Sequence, residues 1–164
     1  MPLTYLDFDV EIVQQDDHRY TVAVRSHAGQ VRQTVAFPFS DAELETHLLQ
    51  IENALLRSTS QRRTLLTPEE DAVRTFGQQL FDFLLSGELR SLYYECHREA
   101  NHQGKGVRVK LNIQPPQLAA LPWEFLFDPR KRDYVCLDPN TPLVRYNDLP
   151  QTVPPLLMTL PLRI

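Results

Sequence analysis

The side chains able to do chemistry in this chain are few and scattered. Two cysteines, Cys96 and Cys136, and five histidines, His18, His27, His47, His97 and His102, are the candidate nucleophiles, bases and metal ligands. Thiol–imidazole catalysis needs a cysteine and a histidine within mutual reach, and Cys96-His97 places them side by side in the chain. On a helix, however, adjacent residues point about 100° apart, so the pair cannot form a local dyad. A helix through this stretch puts Cys96 on the buried face and His97 near the surface. Cys136 alternates with Leu137 in a short extended piece and reads as core. No histidine or cysteine has zinc-type spacing, and the five isolated glycines make no phosphate-cradling loop. Arg130-Lys131-Arg132 reads as a solvated turn tip, because three cations without interleaved aromatics make a poor nucleic-acid surface. The sequence therefore supplies no catalytic, cofactor-binding or metal-binding residue. An enzyme built on Cys96 or Cys136 would need a base that no motif places.

One further carboxylate stands out by its surroundings. Leu121-Pro122-Trp123-Glu124-Phe125-Leu126-Phe127-Asp128-Pro129 holds the only tryptophan and sets Glu124 in an otherwise apolar run. An unpaired buried carboxylate is strongly unfavourable, so Glu124 must reach water or find a cation. Arg145 is the only cation between Pro142 and Tyr146 and is the expected partner. If that pair is buried, removing one member costs about 3–5 kcal/mol, because the other charge is left uncompensated. Pro122 suits the first position of a short helical turn. Trp123, Glu124 and Arg145 are thus expected as structural residues of a folding anchor.

The elements that must position these residues follow from periodicity. Leu6, Phe8, Val10 and Ile12 alternate with Asp7, Asp9 and Glu11, so the first strand has one buried and one acidic face. Tyr20, Val22 and Val24 alternate with Arg19, Thr21 and Arg25 in a second strand, whose cations are expected across from those acids. Val31 to Phe37 continue a three-stranded antiparallel meander. Ser40 and Glu43 write a capping box, with Phe39 and Leu44 as its staple. Leu44, Leu48, Ile51 and Leu55, widened by Leu49 and Leu56, give the first helix an apolar stripe. Thr67, Pro68 and Glu70 open a second helix, in which Gly77 predicts a close backbone approach. Ser86-Gly87 starts a third helix, with Leu89, Leu92, Tyr93, Cys96 and Ala100 inward and Gly104 at its end. Val107, Val109, Leu111 and Ile113 form a fourth strand. Ten of the 13 prolines follow, so short extended pieces replace helices, at Tyr134 to Leu137 and Pro142 to Tyr146.

The reading is an α+β chain in one unit: a β-meander over 1–39, a helical segment over 40–104 and a Pro-rich strand region over 105–164. Leu160 to Ile164 look like a strand begun but not finished, and 154–164 are expected to make intermolecular contacts or to be poorly ordered. A net charge of −4 gives no electrostatic footprint for nucleic acid or an anionic membrane. Met1 to Val13 lack the basic start and apolar run of a signal peptide, and no apolar run reaches membrane-spanning length. Two cysteines are too few for a disulfide scaffold, which points to a cytoplasmic setting.

The second half resembles a known family. Leu111-Asn112-Ile113-Gln114-Pro115, the Leu118-to-Asp128 segment, Thr141-Pro142-Leu143-Val144-Arg145-Tyr146 and Pro161-Leu162-Arg163-Ile164 follow in an order similar to the N-terminal part of the bacterial CHAT domain. The match is strongest over 107–164. Thr4 to Phe8 and Phe37 to Asp41 resemble the leaders of some CHAT proteins. The resemblance implies the start of a caspase-like α/β sheet belonging to a cysteine peptidase with a His–Cys dyad. In that family both catalytic motifs lie downstream of the strand matched by 161–164, so no catalytic residue carries over. Cys96 and Cys136 precede that strand and do not match. The expected function is a non-catalytic scaffold or recognition portion of such a peptidase, partnered by its catalytic portion, a second copy, or regulator or substrate proteins. The alternative is a free-standing protein-interaction module.

Overall fold

A computed structural model describes residues 4–58 and 68–146. Its elements run β1 (Tyr5–Asp16), β2 (Arg19–Ser26), β3 (Gly29–Ala36), α1 (Asp41–Ser58), α2 (Pro68–Leu84), α3 (Gly87–His102), β4 (Gly106–Ile113), a four-residue α4 (Pro116–Ala119), β5 (Phe127–Asp128), β6 (Asp133–Tyr134) and β7 (Leu143–Arg145). Short 3₁₀ turns occupy Trp123–Phe125 and Val135–Leu137. The architecture is α+β, and it starts from the antiparallel meander that the alternation of β1 to β3 dictates.

The main sheet has the order β3-β2-β1-β4-β7. β4 lies parallel to β1, with Phe8 beside Val109 and Val10 beside Leu111, and β7 lies parallel to β4. Phe8, Val10, Ile12, Tyr20, Val22, Val24, Val109 and Leu111 are buried on one face. α3 packs across β3, β1 and β4, presenting Leu89, Tyr93, Cys96 and Ala100 to the core. α2 adds Phe76, Leu80, Phe83 and Leu84.

The other face is polar and ladder-like. One cross-strand row reads Gln30, Arg25, Asp9, Lys110 and Val144; the next reads Arg32, Ala23, Glu11 and Asn112. Arg25 of β2 stands across from Asp9 as expected, but the ion pairs of Asp7 and Asp9 are made with β4. Arg108 Nη2 is 2.6 Å from Asp7 Oδ1, and Lys110 Nζ is 2.8 Å from Asp9 Oδ1. Arg25 shares Asp9's row, but Lys110 approaches from the parallel neighbour and takes the carboxylate.

The capping box of α1 forms as the sequence predicts: Ser40 N donates to Glu43 Oε2 at 2.9 Å, and Glu43 N to Ser40 Oγ at 3.4 Å. Its apolar stripe is buried only in part. Leu48, Leu49, Leu55 and Leu56 are exposed, whereas Ile51 is buried and Leu44 and Ala54 are half-buried. α1 packs mainly on α2, and the His47 ring sits against Phe39 and Phe76. The extended piece expected over 134–137 ends at Tyr134, and a 3₁₀ turn replaces the rest. The expected helix cap at Thr67, the loop beyond Ser58 and the strand over 160–164 lie outside the described residues. No described helix is long and apolar enough to cross a membrane.

Candidate functional site

The connection from β4 to β7 carries Trp123, Glu124 and Arg145. Trp123 is fully buried, its indole Nε1 donating to Leu118 O at 2.7 Å and its ring tilted against Phe83. The 3₁₀ turn presses onto α2 at Gly77, where an added Cβ would lie 1.9 Å from Phe125 O. That is the close backbone approach predicted from a glycine inside a helix. Glu124 turns outward and meets Arg145, with Nη2 2.6 Å from Oε2. The same guanidinium donates to Leu121 O at 2.8 Å and to Ala119 O at 3.1 Å. Arg145 therefore ties β7 to the loop that holds the tryptophan. The pair is exposed, with 57% of the Glu124 side chain accessible. The cost expected for breaking a buried pair does not apply, and the ion pair itself contributes about 0–1 kcal/mol.

Cys136 is a correction to the expectation of core. It is exposed and its thiol donates to Glu124 O at 3.0 Å, while Val135 takes the buried position. The 3₁₀ turn breaks the strand alternation on which the expectation rested.

Cys96 is buried as expected and, as helix geometry requires, does not meet His97. It meets His27 instead, from the β2–β3 turn, with Sγ 3.6 Å from Nδ1. His27 Nε2 lies 3.1 Å from Glu99 Oε2. Thiol, imidazole and carboxylate thus stand in the order of a nucleophile, its base and the group that orients the base. Two features argue against catalysis. Cys96 is completely inaccessible, and burial pushes its thiol up to about 11, with the Glu99 charge adding to the effect and Ser26 opposing it. A catalytic thiolate needs the reverse, a depressed value and access to substrate. The row pins the hairpin tip to α3. No sequence spacing announces it, because 69 positions separate the two residues.

His97, expected near the surface, is half-buried, its ring 4.5 Å from that of Tyr93. Burial lowers its value to about 4, assisted by Lys131, so it is neutral at pH 7. Nearby Asp128 is buried and its Oδ1 accepts from Tyr94 Oη (2.8 Å), Arg130 N (2.9 Å) and Lys131 N (3.2 Å). Burial, and then the bond to Asp128, hold the Tyr94 hydroxyl above the ordinary tyrosine range. This cluster closes the β5–β6 turn and leaves Arg130-Lys131-Arg132 at its tip, as expected for a solvated hairpin. Among the described residues no group of three or more His, Cys, Asp or Glu side chains could hold a metal ion.

Comparison of the chain with protein-family models, with curated proteins and with solved structures found no match.

Proposed function

We propose that this chain is a non-catalytic N-terminal scaffold or recognition portion of a CHAT-type, caspase-like cysteine peptidase of the bacterial cytoplasm. The observation that supports it is the stepwise parallel growth of the sheet. β1, β4 and β7 run the same way, and the Leu-Pro-Trp-Glu segment between the last two is locked onto α2 and clamped by Arg145. That arrangement suits the start of a larger α/β sheet, with β7 as its growing edge. The inaccessible Cys96 and the absence of a motif-placed dyad fit a portion without activity of its own. Its partners in this reading are the catalytic portion, a second copy, or regulator and substrate proteins. A free-standing interaction module is the second reading, favoured by the polar sheet face that no described element covers.

The test is cleavage of unstructured proteins by the chain alone and together with the polypeptide encoded immediately downstream. The scaffold reading expects no cleavage alone, a His-Gly segment and a later cysteine in the downstream polypeptide, and alkylator-sensitive cleavage by the mixture. Alkylator-sensitive cleavage by the chain alone, traced to Cys96 or Cys136, overturns it.

A further inference from the structure

On the polar face of the sheet lies a concavity of about 440 Å³. Its floor is Ala23, the small residue in the row between Arg32 and Glu11. Arg25 and Arg32 stand diagonally across β2 and β3 on one side, with Gln30 beside them, and Asp9, Glu11 and Asn112 form the other side.

The charges of this face are unevenly spent. Asp7 is met by Arg108, Asp9 by Lys110, and Glu11 accepts from the Gln114 amide at 2.8 Å. Arg25 and Arg32 are both exposed, and among the described residues neither has an ion-pair partner. Arg25 and Arg32, diagonal neighbours over a floor of one methyl group, present forked donors that match a carboxylate. We infer that this concavity docks an extended acidic peptide of a partner protein, one carboxylate seated between Arg25 and Arg32 above Ala23. The acids of the opposite wall, Asp9 and Glu11, disfavour a polyanion that would crowd charge against them. A carboxylate flanked by neutral residues avoids that repulsion. The inference is independent of the CHAT reading, since Ala23, Arg25 and Arg32 lie in β2 and β3, outside the segments that resemble that family, with Tyr146 lining the far side of the concavity.

The experiment is fluorescence anisotropy of the full chain with a labelled Glu-Thr repeat peptide, at low and moderate salt. A Gln-Thr repeat and an oligothymidylate of equal charge serve as comparisons. The site predicts that the Glu-Thr peptide binds more tightly than either. Arg25→Gln/Arg32→Gln should weaken it about tenfold or more, the loss of one good charge-assisted contact. Ala23→Leu, which fills the floor and keeps both cations, should also weaken it. Arg74→Ala/Arg98→Ala removes equal charge from α2 and α3 and should leave binding unchanged. No binding of the Glu-Thr peptide, equal loss in the helix double variant, tighter binding of the oligothymidylate, or no effect of Ala23→Leu would each overturn the site.

Discussion

The two faces of the main sheet use the same strands for opposite purposes. Along β2, Val22 and Val24 are buried under the helices, whereas Ala23 and Arg25, their immediate neighbours, line a polar surface that no described element covers. Stability on the covered side comes from apolar area removed from water and from close fit, both unforgiving of volume change. On the open side it comes from half-buried ion pairs such as Arg108–Asp7 and Lys110–Asp9, each small and weakened by salt. The fold therefore tolerates change on one face that it cannot tolerate on the other, and the tolerant face is where recognition can vary.

The sharpest contrast comes from the anchor on the covered side. Trp123→Ala should cost about 3–5 kcal/mol in urea unfolding, since the indole is wholly buried and its N–H bond to Leu118 O is lost. A loss below about 1 kcal/mol would mean that the 3₁₀ turn does not seat the ring as described. Gly77→Ala should be next, near 3 kcal/mol, even though alanine favours a helix interior by about 1 kcal/mol. A stabilised variant would deny the contact with Phe125 O.

Acid should weaken the covered side selectively. His97 is held neutral with a value near 4, below its ordinary 6.5. A base lowered on folding adds stability that is complete above about pH 6.5 and lost as pH falls towards 4. The expected loss from this group is about 2–3 kcal/mol. His97→Phe should flatten that limb of the stability curve, and an unchanged limb would assign the acid sensitivity elsewhere.

Smallest of all should be the effects outside the covered core. Arg108→Ala on the open face and Glu124→Gln at the exposed clamp should each cost about 0–1 kcal/mol, diminishing with salt. A cost of about 3 kcal/mol at Arg108 would erase the difference between the two faces.

Local chemistry made much of this legible in the sequence. The alternation of β1, β2 and β4 named the core face, Ser40 and Glu43 named the start of α1, and Gly77 named a close approach. What escaped depended on the orientation of elements distant in the chain. Leu48 and Leu55 carry a helical period, but which stripe is buried depends on α1 packing on α2 beside His47. The partners of Asp7 and Asp9 come from β4, about a hundred residues away, because parallel pairing with β1 brings Arg108 and Lys110 alongside. His27 reaches Cys96 for the same kind of reason. The exposed Glu124–Arg145 pair was legible as a pair but not in its exposure, which the 3₁₀ turn decides by rolling Trp123 inward and Glu124 out.

In the scaffold role we propose, the row of Cys96, His27 and Glu99 is structural and its thiol is inert. Iodoacetamide labelling of the native protein near pH 7.5, mapped by mass spectrometry, tests it directly. Modification of exposed Cys136 is expected in the native protein, and none of Cys96 until it is unfolded, with or without His27→Ala. Native labelling of Cys96 at least as fast as Cys136, slowed by His27→Ala, would show an activated thiolate and contradict the account.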